Sequence, residues 1–477
     1  MPSRIRRARA SLARRATNGD GRPDHRLDIM DHALYAQHRA IGRSVVIQVV
    51  WIYDDAFDID SVRRLRRNLA NGLAGRRIER SPLLARHRWV SDPGPADIDI
   101  AERARPRAEL TDWADERAQL PIDLERGPGW HLGVVPLSDG SHAVSLVISH
   151  YLVDGFGLAL TIAEAALEIG RDLGYPPPRS QTRLRAVLQD ARQTAQDVPQ
   201  SARALRAAAR LARRQRRDTA QAPAPRPVVL DGSDGDEIAV VPVITIHIDA
   251  EAWDARAKAL GGTSDTLVAG LAAKLAEHVG RRRASDGAVT LQLPMSERTQ
   301  DDTRAVAVSF SRVSVDPTGV TTDLRDVRAA LKQALTTLRE TPDEDERQLL
   351  WLAPFAPKRL LKRLADAAVD DPDLPVFCSN LRDLGPMVLA LAHNETEYAT
   401  ISGVLYPLHL IRVIGQDVTR RWLERAGGQL TIQSWRIGDK VGITVEAYRP
   451  GGENTKPALR ELAARTLAEF DLTGEID

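Results

Sequence analysis

The sequence predicts an α/β (α+β) protein made of two similar halves, and three observations carry that expectation. Short runs of branched apolar residues, bounded by Gly, Pro, Asp and Asn, alternate with longer stretches in which apolar residues recur every three or four positions. That alternation occurs once before and once after an arginine- and alanine-rich stretch. The 477 residues also exceed what one ordinary core organises, so two units are expected.

Taken in order, the chain divides into a flexible basic arm at 1–24, an N-terminal unit at 25–182, a basic helical crossover and linker at 183–238, and a C-terminal unit at 239–477. The arm mixes Arg4, Arg6, Arg7, Arg9, Arg14 and Arg15 with small residues and lacks the apolar stretch of a secretory signal. Ser44–Tyr53 is the first strong strand. Asp60–Leu73 follows as a helix, because Val62, Leu65, Leu69 and Leu73 share one face beneath a cover of arginines. Arg86–Val90 reads as a strand, Ser91–Asp97 as a loop and Ala108–Gln119 as a helix. Pro121–Pro136 turns into a strand that Ser138-Asp139-Gly140 joins, as a hairpin, to the run Val144–Ser149. A helix is expected from Phe156 to about Leu173. Arg183–Arg217 reads as one long helix that ends at Ala222-Pro223-Ala224-Pro225-Arg226-Pro227.

In the second half, strands are expected at Val240–Ile248, Val289–Met295, Ala305–Val315 and Val376–Leu381. Thr263-Ser264-Asp265 has the character of a helix N-cap before Thr266–Arg281. Helices follow at Thr322–Glu340 and Glu344–Ala368, the latter interrupted near Pro354 and Pro357. Gln429–Trp435 and Lys440–Tyr448 form a hairpin about Gly438-Asp439, and Lys456–Phe470 closes the chain as a helix.

Composition narrows the function classes. The 66 basic residues nearly cancel the 65 acidic ones, so no net field attracts nucleic acid or an anionic membrane. One cysteine, Cys378, excludes an internal disulfide framework and a multi-cysteine zinc site, and it fits a reducing cytoplasm. No apolar stretch reaches the ~20 residues of a bilayer-crossing helix. There is no Gly-x-Ser-x-Gly elbow, no Walker loop and no His-Glu-x-x-His pair.

The residues that carry chemistry lie at the end of the hairpin. His150 follows a buried apolar strand, with Asp154 four positions on and Gly155 where the backbone must turn tightly. An imidazole so placed can act as a general base, drawing a proton from an alcohol or amine as it attacks an activated acyl carbonyl. A carboxylate just after the strand suits pairing with a distant arginine better than service as a second acid, so Asp154 is expected to hold the loop. Cys378, in an apolar strand, reads as core. Trp89, Trp130, Trp351 and Trp435 are candidates either for an acyl channel or for packing.

His150-Tyr151-Leu152-Val153-Asp154-Gly155, preceded by Pro128-Gly129-Trp130 and the hairpin, resembles the active-site motif of the superfamily of coenzyme-A-dependent acyltransferases. That superfamily includes nonribosomal-peptide condensation domains and bacterial wax ester synthase/diacylglycerol acyltransferases. In the second half, Thr263–Val268 resembles the Asn-Asp helix start of the wax-synthase branch, with Ser264 in place of asparagine. Leu293-Pro294-Met295-Ser296-Glu297-Arg298 resembles that branch's Pro-Val-Ser-x-Arg segment. Ala307-Val308-Ser309 resembles its Gly-Asn-x-Val-Ser segment without the asparagine. Ser379-Asn380-Leu381 with Gly385-Pro386 resembles the Ser-Asn turn near the far end of the tunnel. The matches run in order from about Leu27 to Phe470; Ser149 stands where many relatives have a first histidine.

The resemblance implies two chloramphenicol-acetyltransferase-like subdomains in pseudo-symmetric arrangement with a tunnel between them. It casts His150 as base, with Asp154 and Gly155 beside it, Asp154 held by Arg298, and Arg298, Ser309, Ser379 and Asn380 as structural or tunnel residues. The expected activity is transfer of an acyl group from acyl-CoA to a hydroxyl, in lipid metabolism of the wax ester synthase kind. No bound cofactor or metal is expected; acyl-CoA or an acyl carrier thioester is co-substrate. Expected partners are a thioester donor and an alcohol or amine acceptor, with an acyl carrier protein and peripheral lipid contact allowed and nucleic acid not. A free-standing condensation enzyme acting on carrier-bound substrates, and a degenerate binding or scaffolding member, are the alternatives.

Overall fold

Val45–Tyr53 is apolar on both faces, and a strand of that kind needs cover on both sides. In the computed structural model it receives that cover from helices on either face of a mixed sheet. The structure describes residues 25–54, 57–82, 85–218, 237–299, 302–340, 348–369, 371–384, 396–397, 400, 403–404 and 407–477. The expected arm at 1–24, the Pro-rich helix end at 222–227 and Gly385-Pro386 lie outside the described residues.

The first half contains α1 (Ile29–Ile41), β1 (Val45–Tyr53), α2 (Ile59–Leu69), β2 (Arg76–Glu79), β3 (Arg88–Ser91), β4 (Asp99–Ile100), α3 (Leu110–Ala118), β5 (Trp130–Pro136), β6 (His142–Ser149) and α4 (Gly155–Ala166). The long basic stretch is α5 (Arg183–Asp218). The second half contains β7 (Val243–Asp249), α6 (Ala250–Ala259), α7 (Ser264–His278), β8 (Val289–Ser296), β9 (Val308–Val315), α8 (Arg325–Glu340), α9 (Lys358–Val369) and β10 (Val376–Asp383). It continues through β11 (Leu408–Gly415), α10 (Arg420–Arg425), β12 (Gln429–Ile437), β13 (Lys440–Tyr448), α11 (Lys456–Glu469) and β14 (Glu475–Ile476). A 3-10 turn, Leu350–Phe355, precedes α9, so the expected helix at 344–368 is broken where Pro354 and Pro357 fall.

Two large sheets organise most of these elements, one per lobe, as expected for two pseudo-symmetric α/β subdomains, and β2 and β3 pair as a separate two-stranded ribbon. The first runs β11-β1-β6-β5-β4 and the second β14-β7-β13-β12-β10-β8-β9. Ile47, Val49 and Trp51 of β1 pack toward α2 and α4, whereas Val50 and Ile52 face Leu110 and Trp113 of α3. In the second lobe, α6, α7 and α11 cover one face of the sheet, with Trp253, Leu271 and Phe470 among its most buried side chains.

β11 departs from the division at 238/239. It lies late in the chain yet completes the first sheet, antiparallel to β1 with Ile47 opposite Val413. The apolar pattern conceals it because His409 and Arg412 interrupt the run. Arg412 is tolerated in the interior because its guanidinium bonds Gln48 Oε1 at 2.7 Å and pairs with Asp115 at 2.7 Å. On the open edge of β11 the second lobe takes over. The side-chain amide of Gln433 accepts from Val413 N–H at 2.8 Å, and Thr444 Oγ1 donates to Ile411 C=O at 3.0 Å. Side chains thus satisfy backbone groups that an edge strand otherwise leaves open.

A second tie between lobes comes from α1. Asp31 is 3% exposed and accepts from the N–H groups of Ala305 and Val306, each at 2.9 Å. Burial pushes its carboxyl from the ordinary 3.8 up to about 7, although the two amides and Arg76 pull the other way. The folded chain therefore retains a proton that the unfolded chain loses near pH 4, and this contribution to stability declines as pH rises between those values. The stability difference between wild type and Asp31→Asn is expected to be largest below about pH 4 and to become constant above about pH 7. A difference that instead grows with pH, in urea unfolding across that range, would contradict this account.

Candidate active site

β5 and β6 form the expected hairpin, and β6 delivers His150 one residue beyond its end. The backbone N–H of His150 donates to Val45 C=O at 2.9 Å, which anchors the residue to β1. Its ring is half-buried at the wall of a cavity between the lobes, about 660 Å³ in volume. Burial lowers the imidazole pKa, partly countered by the ring's interaction with its own backbone carbonyl and by the negative charge of Asp154. A neutral ring at neutral pH is the form that accepts a proton.

Asp154 turns away from chemistry and into structure. It is the N-cap of α4, accepting from Gly157 N–H at 2.7 Å, and it is 2% exposed. Arg298 approaches it side-on, with Nε 3.0 Å from Oδ1 and Nη2 2.8 Å from Oδ2. Ala307 N–H adds a further bond to Oδ2 at 2.9 Å. The remaining donors of Arg298 reach the carbonyls of Asp302, Arg304 and Ala305 at 2.9–3.0 Å. A fully satisfied guanidinium–carboxylate pair therefore fastens the segment after β8 onto the turn after β6.

The glycines do different work from that expected. Gly155 adopts no left-handed conformation; it is the first residue of α4, and a side chain there would meet Leu381 Cδ2 at 3.1 Å. The tighter position is Gly157, where a Cβ would stand 2.9 Å from Arg298 Cζ and from Nε. Only glycine lets the arginine lie flat against the first turn of α4. A glycine two positions past the Asp-Gly pair was the available signal, but its partner is distant in sequence.

Ser379 and Asn380 line the same cavity from β10. Asn380 Nδ2 donates to Asp265 Oδ1 at 2.9 Å, and its Oδ1 accepts from Arg382 N–H at 2.7 Å. Arg382 has φ +60°, within an irregularity where the β10–β12 register shifts between Asn380 and Asp383. The bulge aims Leu381 and Arg382 at the cavity. Thr263 rather than Ser264 caps α7, in a reciprocal box with Thr266, and both threonines also line the cavity.

Position sorts the remaining candidates. Ser309 does not line the cavity; it is buried with its hydroxyl on the Glu297 carboxylate, because β9 turns that face away while Val308 and Phe310 face in. Of the four tryptophans, Trp435 alone lines the cavity; Trp89 and Trp130 belong to the first core, and Arg86 stacks on Trp351. Cys378, read as core, is buried with its thiol pushed up to about 12 by burial, and it also borders the cavity. Ser149 is buried and accepts from Tyr151 N–H at 3.2 Å. A row of cations absent from the sequence reading, Arg328, Lys332 and Arg339 of α8, flanks the cavity together with Arg382.

No family model matches the chain, and no curated protein matches it. Solved structures do. The first condensation domain of the CDA synthetase is 15% identical with a TM-score of 0.53, over 94% of this chain and 99% of that one. The first condensation domain of the calcium-dependent antibiotic synthetase, in complex with a substrate analogue, is 17% identical with a TM-score of 0.54, again over 94% and 99%. At such identities the likeness establishes a shared fold: the two-lobed condensation-domain arrangement, the same coenzyme-A-acyltransferase-like fold that the sequence motifs resemble.

The Asp154 clamp makes a stability prediction. Arg298→Met leaves a buried carboxylate without its cation and is expected to cost about 3–5 kcal/mol. Gly157→Ala, by crowding that guanidinium, should cost about 1–3 kcal/mol. Because both act on one contact, the double variant should lose less than the sum of the two, measured by denaturant midpoints; strict additivity would count against the clamp.

Proposed function

We propose that the protein is a condensation-type acyltransferase, which joins an acyl group presented as a thioester on a phosphopantetheine arm to an amine or hydroxyl acceptor. The observation that carries this reading is His150, poised as a neutral base at the wall of the interlobe cavity. In the reaction the acceptor N–H or O–H loses its proton to His150 as its lone pair attacks the thioester carbonyl. The oxyanion that forms lies toward the first-turn amides of α4 at Gly155 and Phe156, where the unpaired N–H groups and helix dipole favour negative charge. The intermediate then collapses, the C–S bond breaks, and the departing thiolate takes the proton back from His150.

Asp154 and Arg298 hold the loop that presents the histidine and take no part in proton transfer. Both walls of the cavity supply apolar surface for an acyl chain, including Ile47, Leu293, Val308 and Phe377. The cations Arg328, Lys332, Arg339 and Arg382 suit the phosphate of the arm. Coenzyme A carries the same arm, so transfer from free acyl-CoA to an alcohol is the second reading, favoured by the sequence resemblance to the wax-synthase branch. The fold shared with condensation domains supports the carrier-bound donor instead.

Acyl-carrier protein, acyl-CoA and acyl-pantetheine donors, each offered with alcohol and amine acceptors, distinguish these readings by thiol release and product mass. The expected outcome is turnover with the carrier-bound donor, lost by at least a hundredfold in His150→Ala with folding intact. Wild-type rates in that variant would remove His150 from the mechanism. Since burial lowers the imidazole pKa, the acid limb of the rate profile should have its midpoint below the ordinary histidine value of about 6.5.

A further inference from the structure

A second cavity, about 580 Å³, lies at the other end of the β11–β12 junction and meets the first at Trp435. Three side chains converge at its wall. His247 comes from β7 of the second sheet and His409 from β11 of the first sheet. Asp477 follows β14, its backbone N–H bonded to Thr245 C=O at 2.9 Å.

The two imidazole rings lie 5.0 Å apart between centroids. Asp477 Oδ2 is 3.7 Å from His247 Nε2 and 3.2 Å from His409 Nε2. Both Nε2 atoms are shielded from solvent, and neither has a hydrogen-bond partner among the described residues. Two buried ring nitrogens turned toward one carboxylate oxygen, without hydrogen bonds, are costly as an ordinary polar cluster. They are the donor set of a metal site.

We infer that His247, His409 and Asp477 bind a divalent transition-metal ion of the zinc class, which ties the two sheets together and keeps a coordination position open to the second cavity. The three donor atoms lie within 4.8 Å of one another. Tetrahedral ligands about 2.1 Å from a shared ion stand ~3.4 Å apart; the carboxylate is already 3.2 and 3.7 Å from the two ring nitrogens, so binding draws the two rings toward each other by about 1 Å. The surrounding charge accepts a cation: Asp54, Asp439, Glu475 and Asp477 face Arg107, Lys440 and Arg460 around the cavity. Arg107 is already paired with Asp54 and Asp139. Two histidines, one carboxylate and an open position suit zinc or cobalt better than magnesium or calcium, which prefer all-oxygen sets. The donors are more than sixty residues apart in sequence, which is why no spacing motif announces them.

The test uses tag-free full-length protein treated with chelator and titrated with Co2+, whose visible absorption reports three- or four-donor coordination. One equivalent is expected to bind, to be displaced by Zn2+, and to raise the midpoint of thermal unfolding. His409→Gln and Asp477→Asn should each weaken binding at least tenfold, while His142→Gln, at a histidine stacked on Phe57, should not. Asp477→Asn keeps its backbone bond to Thr245, so a folded variant is available even if His409→Gln perturbs β11. Absence of one-equivalent binding in wild type, or equal binding by the folded Asp477→Asn protein, would overturn the site.

Discussion

The buried pair of Asp154 and Arg298 is the constraint on which the site depends. Each partner sits on a different lobe, and each is only 1–3% exposed at its side chain. An isolated charge at such depth is strongly disfavoured, so each tolerates burial only while the other is present. The segment from Asp302 to Ala307 is gripped from both sides by that logic. Arg298 takes three of its carbonyls, Asp154 takes one amide, and Asp31 takes two more. Nothing in this clamp moves a proton in the proposed reaction. It sets where His150 stands relative to the opposite wall.

The first half of the clamp was readable from sequence, because a histidine at the end of an apolar strand followed by Asp and Gly is local. The identity of the arginine rested on resemblance to a family segment, and the structure supplies its geometry. Gly157 and Asp31 could not be assigned their tasks from sequence. Their partners lie more than a hundred residues away, and neither glycine nor a helical aspartate advertises what will pack on it. Ser309 entered the candidate set through a matching segment, as a structural or tunnel residue; period-two alternation along β9 turns it from the cavity toward Glu297, which is the structural of those two places.

Most of the secondary structure was legible wherever apolar periodicity was strong, as in β1, β6, α7 and the β12–β13 hairpin. α1 and β11 escaped for a shared reason. Both carry buried polar residues, Asp31 and His32 in one and Arg412 in the other, whose solvation is replaced by partners from remote parts of the chain. Patterning treats such residues as surface. The interior accepts them because groups far along the chain complete their hydrogen bonds: Ala305 and Val306 for Asp31, His87 for His32, Gln48 and Asp115 for Arg412.

The placement of β11 has a consequence for how this molecule is made. Its partner in the sheet, β1, emerges some 360 residues earlier, and closing a loop of that length costs roughly 5 kcal/mol of chain entropy before any contact offsets it. During synthesis, the first sheet waits with one side of β1 unpaired while most of the chain is still to come, and an open edge of that kind invites association with other chains. The lobes are therefore not two proteins joined by a tether. A cut between them would leave the first without a strand and the second with one to spare, so the first sheet is complete only once residues 408–415 have reached it.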